Sequence, residues 1–160
     1  MIYAILFFAV VLADQVTKTI VDMNNCNIPV INGLFYITNT RNSGAAFGMM
    51  ADEPFAMALF FSLTAIALIA MSVYMVVRKR DSKWLDYSLT FIASGAVGNF
   101  IDRVAFKEVR DFLNVTFFAN FNVADIAVSV GGVMLVVYFL FLDKDALFKP
   151  KDKKTTKETK

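Results

Sequence analysis

Two aspartates stand where apolar segments of the chain meet polar connections, and together they could hydrolyse a peptide bond. Asp111 lies in a short polar connection, and Asp125 lies near the start of the last long apolar segment. Two neighbouring carboxylates cannot both ionise cheaply, so they share one proton and their apparent pKa values separate. The charged member can take a proton from water while the protonated member donates to the scissile carbonyl oxygen. On residue types alone, Asp111 is equally well explained as a solvated loop residue, and Asp125 as a favourable charge at a helix N-terminus.

The composition excludes several other kinds of site. The 160 residues contain no His, and Cys26 is the single cysteine. Nucleophile pairs that need His, imidazole or thiol zinc sites and an intrachain disulfide are therefore excluded. A basic surface interleaved with aromatic residues is also missing, so we expect no nucleic-acid partner. The acidic pair needs neither a metal nor a cofactor.

Hydrophobic residues make up 58% of the chain and charged residues only 19%, which is typical of a polytopic membrane protein. We predict an all-α membrane protein with four transmembrane helices and a small extracytoplasmic β-hairpin element. The predicted spans cover residues 1–21, 55–77, 84–103 and 122–142. Residues 1–143 then form one transmembrane domain, with the β-element at about 22–53, and residues 144–160 form a basic, disordered tail.

The charges on the connections predict the orientation of the spans. The Lys-rich tail and the basic loop at 78–83 fall on one side, which the positive-inside rule makes cytoplasmic. Both termini then face the cytoplasm, and Asp111 and Asp125 face outward. The first apolar run, 2–13, has no preceding Lys or Arg and no small-residue cleavage site after it, so we interpret it as a retained span.

The segment between the first two spans predicts a hairpin. Residues 28–31 and 34–38 read as two strands around Asn32 and Gly33, a pair typical of a type I′ turn. Residues 39–48 follow, and their small side chains suit either a lip that binds an extended peptide or a plain tight turn. In the third span, Ser94 with Gly98 and Gly95 with Asn99 have the small-residue spacing that permits close helix contact.

Several polar side chains accompany the two aspartates. Asp14 and Lys18 form an i,i+4 pair whose simplest role is mutual neutralisation within the first span. Arg103 could pair with Asp102, or hold a carboxylate or a backbone carbonyl. The amides that could orient a peptide or a neighbouring Asp are Asn42, Asn99 and Asn122, and Asn122 also suits the N-cap position of a helix.

Five segments that occur together and in order favour a catalytic role for Asp111 and Asp125 over the interpretation as a loop residue and a helix-end charge. They are residues 14–18 (DQVTK), 41–48 (RNSGAAFG), 95–103 (GAVGNFIDR), 109–112 (VRDF) and 121–125 (FNVAD). In this arrangement the chain closely resembles the bacterial lipoprotein signal peptidases, type II. The resemblance covers nearly the whole chain from Asp14 to the fourth span.

The resemblance implies a four-helix inner-membrane aspartic endopeptidase. It implies prolipoprotein substrates, cut just before a Cys that carries diacylglycerol, with membrane lipids around the enzyme and no cofactor; we expect a monomer. By motif position, Asp111 and Asp125 match the catalytic pair. The supporting or substrate-binding residues implied in the same way are Asp14, Lys18, Asn42, Gly44, Gly95, Gly98, Asn99, Arg103 and Asn122. We expect a structural role for Asp102 beside Arg103.

The chain departs from the family around Asp111. The family usually has Gly-x-Val-Val-Asp-Phe, where this chain has Lys107-Glu108-Val109-Arg110-Asp111-Phe112. Lys107 replaces a glycine that would ease a turn, and we expect the side chain of Arg110 to point to solvent or headgroups. The connection from 106 to 120 is long enough to act as a gate.

Two other functions fit parts of the sequence. A Ser–Lys peptidase could use Ser43 with Lys18, although Asp14 is a ready partner for that lysine. A small ion-coupled transporter could carry protons on buried carboxylates. The lack of repeated halves and the predicted hairpin make the transporter less favoured.

Overall fold

Three helices and a three-stranded sheet can be followed in the computed structural model, which describes residues 1–43, the single positions 62, 66, 69 and 73, and residues 82–142. The elements in chain order are α1 (Ile2–Asn24), β1 (Asn27–Ile31), β2 (Phe35–Asn42), α2 (Lys83–Phe106), β3 (Val109–Val115) and α3 (Val123–Val137). A π-helical segment, Tyr138–Leu142, continues α3. The strands pair antiparallel in the order β1-β2-β3.

The helices have an inverted burial pattern that suits a lipid environment. In α1 the buried residues are Asp14, Lys18 and Val21, while Phe8 and Leu12 are more than half exposed. Apolar side chains that face outward and charged ones that face inward are expected where the solvent is hydrocarbon. By length and composition, Ile2–Asn24 and Val123–Leu142 are both able to cross a membrane.

The predicted first and fourth spans therefore correspond to apolar helices with nearly the expected bounds. The third predicted span is also a helix, α2, and at 24 residues it is about 36 Å long. Of the predicted second span, 55–77, only positions 62, 66, 69 and 73 are described, and they are helical. Four crossings of the membrane remain a prediction.

Small residues bring α2 close to its neighbours, as their spacing predicts. A Cβ atom on Gly95 would collide with the backbone oxygen of Ala124, and one on Gly98 would lie 2.7 Å from Asp14 Oδ2. Gly131 of α3 is equally close to α2, where Ser88 Oγ donates to its carbonyl oxygen at 2.7 Å. This packing sets the start of α3 against the polar faces of α1 and α2.

The hairpin is present, but its predicted turn type is wrong. The Leu34 amide donates to the Ile31 carbonyl at 3.0 Å, and in this turn Gly33 has a positive φ of 78° while Asn32 does not. A type I′ turn needs positive φ at both central residues, so the geometry is that of a type II turn. The register shifts between Pro29 and Ile31, because a proline has no N–H for the ladder.

The connection predicted between 106 and 120 contains a strand, β3. Helix α2 ends at Lys107, which has a left-handed φ of 66°, and β3 then pairs with β2. Thr40 lies opposite Asp111 in this register. The length that would allow a gate is therefore confined to the residues after β3, where Phe117 and Phe118 are exposed. Strand β3 instead gives Asp111 a fixed position in a sheet.

Candidate active site

Asp111 is held by two asparagines from different elements. It lies in β3 with only 2% of its surface exposed. Asn42 occupies a diagonal position on β2, and its Nδ2 donates to Asp111 Oδ2 at 2.8 Å. Asn122 Nδ2 donates to Asp111 Oδ1 at 2.7 Å. The carboxylate is therefore oriented at both oxygens.

Asp125 is fixed by the N-terminus of α3. Asn122 is the N-cap, as predicted, and forms a capping box with Asp125. The Asp125 amide donates to Asn122 Oδ1 at 3.0 Å, and the Asn122 amide donates to Asp125 Oδ2 at 3.1 Å. Asn99 of α2 donates to the remaining oxygen, Asp125 Oδ1, at 2.7 Å. Asn122 thus contacts both aspartates.

The two aspartates open onto one cavity of about 480 Å³. Asn42 is a third polar residue of the lining, and Ile126 and Val130 of α3 are apolar ones. The remaining lining residues are Phe118, Ala119, Asn120, Phe121 and Ser129. A cavity lined by both acidic and apolar side chains can hold water and an apolar chain together.

The electrostatic environment favours a proton on Asp111. Burial away from water raises the pKa of Asp111 above its usual value of 3.8, and the negative charge of Asp125 raises it further. The donors on Asn42 and Asn122 and the charge of Lys18 oppose this rise, without reversing it. A carboxyl group whose pKa is raised can hold the proton that general acid–base hydrolysis requires.

Behind the aspartates, Lys18 does more than neutralise Asp14. The predicted pair is present at 2.8 Å, and both side chains are fully buried. Lys18 Nζ also lies 3.4 Å from Asp102 Oδ2 and donates to Asn99 Oδ1 at 3.1 Å. The Ala124 amide, in the first turn of α3, donates to Asp14 Oδ1 at 2.9 Å. The pair therefore connects α1 to α2 and α3.

The expectation that Arg110 points to solvent or headgroups is wrong. Its side chain is buried, and its guanidinium forms two hydrogen bonds with Asp102, from Nε at 3.2 Å and from a terminal nitrogen at 2.8 Å. Side chains alternate along a strand, so Arg110 faces the helices while Asp111 faces the cavity. The charged partners of Asp102 are Arg110 and Lys18, and the side chain of Arg103, beside which a structural role was expected, is not among them.

The sequence also predicts roles for Arg103, Gly44 and Ser43. The Arg103 side chain is half-buried and has no hydrogen bond or ion pair in the described part of the chain. Gly44 lies outside the described residues, as does most of the 39–48 segment beyond Ser43. Ser43 is exposed, and the polar contacts of the Lys18 amine are to Asp14, Asp102 and Asn99. A Ser43–Lys18 nucleophile pair is not formed.

Gln15 was not among the predicted site residues, although its side chain joins the same network. Its Nε2 donates to the Gly98 carbonyl at 3.0 Å and to Asp102 Oδ1 at 3.2 Å. A polar side chain within an apolar span was the available signal. Among residues 1–43 and 82–142, no three acidic or thiol side chains come together in the way that a metal site requires.

Two neighbouring acids, one buried and one half-buried, held by amide side chains at one end of apolar helices, are the arrangement expected of a membrane peptidase of the aspartic class. A family model described as "Signal peptidase (SPase) II" matches residues 6–141. The chain belongs to this family of aspartic peptidases.

Similar proteins agree over most of their length. The "Lipoprotein signal peptidase" of Listeria monocytogenes serotype 4b (strain CLIP80459) is 40% identical over 151 residues, which cover 89% of this chain and 95% of that protein. Two solved bacterial membrane enzymes superpose with TM-scores of 0.79 and 0.78, at 30% and 32% identity. They cover 92% and 87% of this chain, which covers 93% and 92% of theirs. The transporter interpretation finds no support in these similarities.

Proposed function

We propose that this protein removes the signal peptides of diacylglyceryl-modified prolipoproteins, hydrolysing the bond just before the lipidated Cys, with Asp111 and Asp125 as the catalytic pair. One observation carries the proposal: Asn122 hydrogen-bonds both aspartates, and both line one cavity. Membership of the signal peptidase II family supports the substrate class, as does the 40% identical lipoprotein signal peptidase.

The environments of the two acids assign their roles. Asp111 is more deeply buried, and its raised pKa makes it the protonated member. Asp125 sits in the first turn of α3, where the helix N-terminus stabilises a negative charge, so it is the charged member. The Asp125 carboxylate takes a proton from water as the water oxygen attacks the scissile carbonyl carbon. Asp111 donates its proton to the carbonyl oxygen, which gives a tetrahedral diol.

Collapse of the diol completes the reaction. Asp125 returns its proton to the leaving nitrogen, the C–N bond breaks, and one diol hydroxyl returns its proton to Asp111. The products are a carboxylic acid and an amine, and the pair again holds one proton. Because both the fully protonated and the fully ionised pair are inactive, cleavage has a bell-shaped pH dependence.

The proposal places the reaction at the outer edge of the bacterial cytoplasmic membrane. The Lys-rich tail and the 78–83 loop support cytoplasmic termini and four crossings, with β1, β2 and β3 on the opposite side. The domain consists of residues 1–143, followed by the tail at 144–160, and works as a monomer among lipids. No nucleic-acid partner and no cofactor take part in the proposed reaction.

Arg103 and Asn42 are the proposed contacts to the substrate backbone. Asn42 lines the cavity beside Asp111, and its amide can both donate and accept. Arg103 does not line this cavity, but its guanidinium has no partner among the described residues, so it is free to hold a carbonyl of the peptide beyond the cavity.

The test is cleavage of a diacylated prolipoprotein by the purified protein in detergent, followed by gel shift. Asp111→Asn and Asp125→Asn should each lower the rate by roughly 10³-fold or more, because neither amide can exchange a proton in the cycle. Asp22→Asn is the matched control, since Asp22 pairs with Arg41 away from the cavity and should leave cleavage unchanged. Full cleavage by either folded active-site variant would refute the assignment of the pair.

A further inference from the structure

Arg110 is a buried charge that the proposed catalytic cycle does not use. Besides its two contacts with Asp102, its guanidinium donates to Gln15 Oε1 at 3.1 Å and lies 4.5 Å from the centre of the Phe106 ring. Its backbone amide also donates to Asp102 Oδ2, at 2.9 Å. Side chain and main chain together fasten the start of β3 to α1 and α2, and the next residue in β3 is Asp111.

The charges behind the aspartates balance only when Arg110 is counted. The buried group contains two acids, Asp14 and Asp102, and two bases, Lys18 and Arg110. Without Arg110, Lys18 alone would face both carboxylates. A buried charge left without a partner is strongly destabilising, so the lysine would be drawn toward Asp102.

Lys18 in turn reaches the catalytic pair through asparagine. Its ammonium donates to Asn99 Oδ1 at 3.1 Å, and Asn99 Nδ2 donates to Asp125 Oδ1 at 2.7 Å. Asn122 Nδ2 also donates to Asn99 Oδ1, at 3.1 Å. An unneutralised Asp102 would therefore compete with Asn99 for the lysine and disturb the residue that orients Asp125.

We propose that Arg110 is a positioning residue for catalysis: it neutralises Asp102, which leaves Lys18 on Asn99, and it fixes the strand that carries Asp111. This inference rests on the proposed catalytic pair. Arg110 does not line the cavity, so it acts through its neighbours and not on the substrate.

The charged and polar groups facing the catalytic pair come from every described element packed around it. They are Lys18 and Asp14 from α1, Asn42 from β2, Asn99 and Asp102 from α2, and Asn122 from the start of α3. Arg41 lies opposite Arg110 on β2 but pairs with Asp22 at 2.6 Å. Removal of Arg110 thus leaves one uncompensated negative charge beside the aspartates.

The inference gives distinct kinetic expectations for four variants. Arg110→Met should lower kcat about tenfold with KM little changed. It should also shift both limbs of the kcat–pH profile to higher pH, by about one pH unit, because an added negative charge holds the shared proton more tightly. Asp102→Asn should move the limbs downward. The double variant, which is neutral again, should return them close to those of the parent, and Arg110→Lys should keep them there.

The experiment measures these profiles on the purified full-length chain with the diacylated prolipoprotein, beside thermal denaturation of each variant. Unmoved limbs in folded Arg110→Met, or a shift that the double variant does not reverse, would overturn the inference. If Arg110→Met fails to fold, the difference between Asp102→Asn and the double variant carries the test, and identical profiles would overturn it. Activity in Asp111→Asn or Asp125→Asn would overturn the catalytic pair instead, so the two failures are distinguishable.

Discussion

Asn122 Nδ2 lies 2.7 Å from Asp111 Oδ1, so the residue that caps α3 also holds the acid of β3. This contact joins the N-terminus of α3 to the sheet. The cap of α3 depends on residues next to each other in the chain, whereas the paired strands β2 and β3 are separated in the chain by the whole of α2. The relative position of the two carboxylates is therefore set by one buried amide, and several consequences can be measured.

Substitution of Asn122 should separate its capping role from its role at Asp111. Asn122→Ala removes both and should lower the free energy of unfolding by about 1 kcal/mol or more, with loss of most cleavage. Asn122→Ser keeps an oxygen that can cap the helix but cannot reach Asp111, so it should retain more stability while cleavage stays low. Restoration of cleavage by Ser would show that the contact with Asp111 is dispensable.

The raised pKa of Asp111 predicts a pH-dependent cost to folding. The native protein binds this proton more tightly than the unfolded chain, so the native state is favoured below pH 3.8 and loses stability as the pH rises through the native pKa. The Tm of Asp111→Asn relative to that of the parent should therefore rise between about pH 4 and neutral pH, whatever the sign of the difference at pH 4. Thermal denaturation in detergent measures it, and a difference that is constant across this range would contradict the prediction.

The close approach of α2 and α3 predicts a contrast between two glycines. Gly95→Ala should destabilise the protein by about 1–3 kcal/mol and displace the start of α3, because the new methyl would meet the Ala124 carbonyl. Gly132→Ala is the matched control in α3: among the described residues, nothing apart from the adjoining backbone of α3 lies within 4 Å of the position of the added Cβ, so it should be neutral or slightly stabilising. Comparison of the Tm values and cleavage rates tests this, and equal effects at the two positions would exclude the packing explanation.

The end of α2 predicts a stabilising substitution. Lys107 has a φ of 66°, a conformation that costs a residue with a side chain about 1 kcal/mol and glycine little. Lys107→Gly should therefore have a higher Tm than Lys107→Ala. Both variants lose the contacts of the lysine side chain, but only Ala keeps the energetic cost of a positive φ. Cleavage should persist in both. A lower Tm for Gly than for Ala would show that chain entropy outweighs the backbone conformation here.

The sequence predicted the parts of the site that depend on short-range pattern. Asn122 as an N-cap, the Asp14–Lys18 pair and the close helix contacts at Gly95 and Gly98 all follow from spacing within one helix. The ordered motifs indicated the family before any contact was known. The roles of Asp111 and Asp125 remain proposals, which the geometry supports through their shared cavity.

Other features followed from contacts between distant residues, and there the sequence was misleading. The strand character of 109–115 depends on pairing with β2, which lies far away in the chain, so the segment looked like a loop. The inward direction of Arg110 depends on Asp102 being within reach and on the alternation of side chains in that strand. Arg103, one residue from Asp102, looked like the better partner because sequence distance says nothing about direction.

Apolar length and helical spacing alone thus determined the apolar helices, the helix cap and the types of residue at the site. Only the tertiary structure decided that Arg110, a second basic residue, pairs with Asp102, and that β3 places Asp111 beside the N-terminus of α3. The physical reason is that helical periodicity depends on residues three or four positions apart, whereas strand pairing and ion pairing depend on residues that are distant in the chain and come together only in the folded protein.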